Sequence, residues 1–96
     1  MIESFGYRAT EALFHDLQSA KARRFPSDLR RVMLRKLQQI VVSTTLDQLR
    51  VPPGNRLEAL KGDRAGQFSI RINDQWRICF RWVNGEARDV EICDYH

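Results

Sequence analysis

A chain of 96 residues with 16 Lys and Arg against 12 Asp and Glu carries a net charge of +4 and a pI of about 9.6, which points to a polyanionic partner. Its length suits one domain over residues 1–96 with one modest core. With 43% hydrophobic and 29% charged residues it has globular composition, and no apolar run approaches the ~18 residues of a membrane span, so no membrane association is expected.

In chain order, Ile2 and Phe5 bracket a short, weak strand, and the stretch M-I-E-S-F-G-Y has neither a basic start nor a long apolar run. No secretory signal is therefore expected, the expected compartment is the cytoplasm, and Cys79 and Cys93 should be free thiols there. Thr10 followed by Glu11 predicts a helix start, with Ala12, Leu13, Phe14 and Leu17 on the helix. His15 lies on it without catalytic partners nearby and reads as structural or solvated. After a polar, basic stretch over 18–25, Pro26-Ser27-Asp28 supplies the breaker, cap and first-turn acid of a second helix. Leu29, Val32, Met33, Leu37, Ile40 and Val41 recur there at three- and four-residue spacing, opposite Arg31, Arg35, Gln38 and Gln39. Residues 21–36 hold seven cations against the single acid Asp28, so the rail reads as a solvated face or as a phosphate-backbone contact.

Thr44 to Leu49 predicts one more helical turn capped by threonine, ended by Val51-Pro52-Pro53-Gly54-Asn55. A strand over Arg56–Leu60 and a turn over Lys61–Gly66 follow, the glycines supplying positive φ. Phe68, Ile70 and Ile72, then Trp76, Ile78, Phe80 and Trp82, alternate with polar residues and predict a β-hairpin turning at 73–75. That register sets Ile70 against Ile78 and Arg71 against Arg77. Like charges opposed in this way are destabilising, so the pair either splays into solvent or holds an anion. Asn84-Gly85 marks another reversal. A loop over 84–86 would pair Phe80 with Val90, Ile78 with Ile92 and Arg81 with Asp89, and would leave Cys79 and Cys93 as diagonal neighbours. The order predicts an α+β fold: a small antiparallel sheet with two to three helices packed on one face and the other face open.

Two cysteines beside only His15 and His96 give no metal-ligand spacing, so neither a metal nor another cofactor is expected. The chemistry left to such a chain is acid–base cleavage of RNA, whose 2′-OH is an internal nucleophile. His96 titrates in the useful range, Asp94 would orient it, Tyr95 would supply a proton or stack on a base, and Arg77 and Lys61 would bear on the phosphate. By composition alone, the terminal Asp94-Tyr95-His96 is as readily a frayed end as a site.

The run from Leu60 to Asn73, L-K-G-D-R-A-G-Q-F-S-I-R-I-N, then Q-W-R-I-C-F from Gln75 to Phe80, Pro52-Pro53-Gly54-Asn55-Arg56-Leu57 and the final Asp94-Tyr95-His96 resemble the HigB branch of the RelE/ParE toxin superfamily, nearest its GraT-like members. The resemblance implies a RelE-like fold and the toxin of a type II toxin–antitoxin pair, a metal-independent endoribonuclease that cuts mRNA in the 30S A site of the translating ribosome. It also implies a HigA-type helix-turn-helix antitoxin and a toxin–antitoxin complex on operator DNA. Catalytic roles carry over to Asp94, Tyr95, His96, Arg77 and Lys61. Where some relatives have histidine three residues before that lysine, this chain has Glu58, which reads as a base or a supporting residue. Arg56, Arg64, Arg71 and Arg81, with Arg31 and Arg35 on the second helix, are the candidate RNA contacts. The alternatives are a ParE-like, non-catalytic inhibitor of DNA gyrase, which has no need of a titratable cluster at the chain end, and a plain RNA-binding module.

Overall fold

A computed structural model describes residues 1–94. Two α-helices, α1 (Arg8–His15) and α2 (Arg30–Val42), precede four strands, β1 (Glu58–Ala59), β2 (Phe68–Arg71), β3 (Trp76–Val83) and β4 (Glu86–Asp94), which form an antiparallel sheet in the order β1-β2-β3-β4. The expected α+β arrangement is the one observed. Both helices pack on the face bearing Ile70, Ile78, Phe80, Val90 and Ile92, burying Leu13, Met33, Leu37 and Ile40 against it.

The central hairpin has the predicted register: Phe68 faces Phe80, Ile70 faces Ile78 and Arg71 faces Arg77. Its turn is closed by Asn73, whose Oδ1 accepts from the amides of Gln75 at 2.9 Å and Trp76 at 2.8 Å. The β3–β4 connection differs from the expected three-residue loop. Asn84 and Gly85 have φ of 52° and 79° and form a two-residue turn that pairs Val83 with Glu86 and Arg81 with Arg88. The register then shifts between Cys79 and Arg81, with Asp89 at φ 52°, and returns to the expected pairs Cys79 with Glu91 and Ile78 with Ile92. A bulge absorbs the residue by which the turn is shorter.

Other boundaries also move. The first helix starts at Arg8, and Thr10, expected at its start, is fully buried with its hydroxyl accepting from the Ile92 amide at 2.9 Å. It ties α1 to β4 instead of capping the helix. Pro26-Ser27-Asp28 forms a turn before α2, whose cap residue is Leu29 and has no side-chain cap bond. Phe25, in the stretch read as polar, is 3% exposed and packs edge-on against Trp76 at 5.7 Å. The Ile2–Phe5 segment bridges β4 in parallel fashion, at Ala87 and Val90. Thr45 does cap the turn Leu46–Arg50, in a reciprocal box with Gln48. The strand expected over Arg56–Leu60 shrinks to Glu58–Ala59, because Pro53–Asn55 forms a 3₁₀ turn that throws Arg56 to φ 44°. His15 is exposed, with its ring edge-on to Phe14 at 5.3 Å.

Candidate active site

Strand alternation puts Arg77 on the polar side of β3, between the core residues Trp76 and Ile78, and it is only 8% exposed. A guanidinium at that depth is stable only if its donors are met. Nε donates to Ser69 Oγ at 2.7 Å, NH2 donates to the Arg56 carbonyl at 2.9 Å, and the same nitrogen pairs with Glu58 Oε1 at 3.2 Å. The left-handed backbone of Arg56 aims that carbonyl, and Asn55 fixes the turn before it. Asn55 is fully buried, its Nδ2 donating to the carbonyl of Leu49 and the side-chain oxygen of Gln39, both at 3.1 Å, while its own oxygen accepts from Lys36. Gln39 and Lys36 of α2 thus brace the loop that braces Arg77. Gln39, expected on the solvent-facing rail, is a structural residue. Desolvation, with Arg35 next in effect, holds the Lys36 ammonium below the usual lysine range.

The opposed Arg71 and Arg77 each pair with a carboxylate of the chain, Arg71 with Asp74 and Arg77 with Glu58. Further along, the face is not open as expected. The turn over 61–67, with Gly62 at φ 65° and Gly66 at φ 91°, lies across it, and Arg64 NH1 pairs with Glu91 Oε1 on β4 at 2.6 Å. That bond raises the Arg64 guanidinium further above its already high value and fixes its charge. Beneath lie the two cysteines, both free thiols as expected, Cys79 fully buried and Cys93 half-buried. Interaction between the two thiols holds Cys79 below its ordinary value and, with burial, pushes Cys93 up, while Cys93 Sγ donates to Glu91 Oε1 at 3.4 Å.

Lys61, at the start of that turn, is exposed, and its ammonium makes no ion pair or hydrogen bond with the described residues. The structure brings Glu58 and Arg77 together and leaves Arg56 exposed on their margin. Arg81, about half exposed, pairs with Asp89 at 3.4 Å. Asp94 faces Trp76 across the strand pair and accepts from Gln75 Nε2 at 3.0 Å. The roles expected of Tyr95 and His96 fall outside the described residues. Arg31 and Arg35 are exposed on α2, which packs on the opposite side of the sheet, so they do not join Arg77. Sequence reasoning missed Ser69, Asn55 and the Arg56 carbonyl, whose roles rest on contacts between segments and leave no local signal. Among the described residues, no three His, Cys, Asp or Glu side chains converge in a way that would hold a metal ion.

The profile of the family described as "RelE-like toxin of type II toxin-antitoxin system HigB" matches residues 4–96. The chain belongs to the HigB toxins. This HigB-family chain is 43% identical over 65 residues to Toxin HigB-1 of Vibrio cholerae, covering 68% of each protein. It is 36% identical over 101 residues to Endoribonuclease HigB of Proteus vulgaris, covering 100% of both. Among solved structures, the YoeB-YefM complex from Staphylococcus aureus contains a chain that superposes with a TM-score of 0.60 over 100% of this chain and 98% of that one, at 21% identity. That likeness is one of fold alone. As a toxin of a type II pair, the HigB-family chain has an antitoxin as its partner.

Proposed function

We propose that this HigB toxin is an endoribonuclease that cuts mRNA on the translating ribosome by acid–base chemistry of its own side chains. The observation that carries the reading is the match over the full length of both chains to a protein named Endoribonuclease HigB. The buried Arg77, held by Ser69, the Arg56 carbonyl and Glu58, supports it, because a charge fixed in advance stabilises a developing oxyanion without reorganising. In the proposed reaction a base removes the 2′-OH proton, the oxygen attacks the adjacent phosphorus, and an acid protonates the departing 5′-oxygen. His96 carries a proton step, Asp94 orients it, Tyr95 gives a second proton or stacks on a base, and Arg77 and Lys61 hold the phosphate. Glu58 has a supporting role: with Ser69 and the Arg56 carbonyl it holds the Arg77 guanidinium in place. The proposed partner is a HigA-type helix-turn-helix antitoxin, the pair binding operator DNA, and the proposed site of action is the 30S A site.

Expression of His96→Ala without antitoxin tests the mechanism. Positioned acid–base groups supply roughly 10²–10⁴-fold, so growth arrest should vanish while the melting temperature stays within a degree or two. Full toxicity in a folded His96→Ala protein would take histidine out of the mechanism. Primer extension on mRNA, with and without ribosomes, tests the site of action.

A further inference from the structure

The two opposed arginine pairs on the polar face differ in one respect. Arg71 and Arg77 each have an acid of their own, Asp74 and Glu58. Where the two-residue turn brings Arg81 directly opposite Arg88, Asp89 is, among the described residues, the one carboxylate paired with either, and it reaches Arg81 at 3.4 Å. Arg88 Nε is buried and has no hydrogen-bond partner. A buried donor left unmet is costly, and two guanidiniums across a strand pair repel. The Arg81 guanidinium is seated against Gly66, so close that a Cβ there would come within 3.3 Å of NH1. With Asp89 the pair keeps an excess of one positive charge.

We propose that Arg88, together with Arg81, forms a phosphate-binding subsite at the far end of the polar face, holding the RNA backbone a few nucleotides from the linkage that is cut. The proposal rests on the endoribonuclease reading and deepens it. Arg81 lies four residues along β3 from Arg77, roughly 13 Å at the ~3.3 Å rise per residue of a strand, on the same face. A backbone with one phosphate at Arg77 can therefore reach this pair by running along the strand. Planar guanidiniums meet phosphate oxygens with paired N–H donors, and the two facing guanidiniums of this pair supply them. An acidic side chain of the antitoxin would offer similar oxygens; RNA is favoured because the pair shares its face with Arg77.

The test uses Arg88→Met, which keeps the aliphatic packing and removes the unmet donor, and Arg88→Lys, which keeps the charge without the fork. Arg88→Met should melt at or above the wild-type temperature. On ribosomes programmed with mRNA under single-turnover conditions, it should need 5- to 20-fold more toxin for half-maximal rate, with the saturated rate within twofold of wild type and Arg88→Lys in between. A single uncharged methylphosphonate linkage, moved stepwise along the mRNA from the cut site, locates the contact. At one position it should slow the wild type and leave Arg88→Met unaffected. Equal sensitivity of both proteins at every linkage would overturn the proposal, as would Arg88→Met losing affinity for antitoxin while cleaving normally. Absence of cleavage by the wild type would instead overturn the endoribonuclease reading.

Discussion

Arg77 is a structural residue and, in the proposed mechanism, also the phosphate contact. Three oxygens from three segments meet its guanidinium, and a lysine cannot satisfy all three from one nitrogen at the same depth. Arg77→Lys should therefore cost about 1–3 kcal/mol through unmet buried acceptors and lower toxicity more than Glu58→Gln. The Glu58 carboxylate is half exposed, and its ion pair is worth no more than about 1 kcal/mol. Thermal melts of both variants beside growth arrest check the order. Lys36 gives a pH signature. Burial lowers its pKa in the folded state, so the native protein binds that proton less tightly than the unfolded chain. The penalty is present at neutral pH and is relieved as pH rises through the lowered value towards the ordinary 10.5. In that alkaline window wild-type stability should gain relative to Lys36→Met, and parallel pH–melting curves would show that Lys36 is not desolvated.

At the scale of elements, the loop Pro52–Arg56 transmits order from α2 to the sheet. Asn55→Ala leaves the Leu49 carbonyl, Gln39 and Lys36 without their partner. It should cost about 2–3 kcal/mol, a fall in melting temperature on the order of 10 °C. Because Arg56 follows directly, cleavage should fall as well, beyond what the lost stability explains; a chain assayed well below its melting point separates the two. The hairpin over 68–83 was legible because its apolar residues keep a strict period of two, and a one-residue slip would have turned Phe80 and Ile78 out of the core. The β3–β4 register was legible only in its inner half. Asn84-Gly85 announced a turn, but the compensating bulge sits at Asp89, a residue with no local mark of it, and so the pair Arg81–Arg88 went unseen. Glu58, Lys61 and Arg77 were named from sequence, whereas Ser69 acts through a partner 8 residues away and Asn55 through partners up to 19 away, and they could not be.

For the whole molecule, charge is divided between two sides. Arg31 and Arg35 stand on α2, across the sheet from Arg77, so any contact they make with the ribosome is separate from the proposed cleavage site. Arg31→Glu with Arg35→Glu should change stability by no more than about 0.5 kcal/mol each while weakening ribosome binding and flattening its salt dependence. Unchanged binding across a salt series would mark α2 as a merely solvated face. The N-terminal segment has a further consequence. The Ala87 and Val90 amides donate to the Met1 and Ser4 carbonyls, that of Asp89 to the Ser4 hydroxyl and that of Ile92 to Thr10. Gly6 is held so close that a Cβ on it would come within 2.9 Å of the Asp89 carbonyl. The outer rim of β4 is thus sealed, and the opposite rim, β1, is two residues long. Among the described residues, the Ala87–Ile92 stretch of β4 is therefore closed to another chain propagating the sheet, and β1 is too short to offer a long row of amides. An antitoxin that neutralises this protein must grip it through side chains or first peel residues 2–5 away, and hydrogen exchange at Ala87 and Val90 in the complex would tell the two apart.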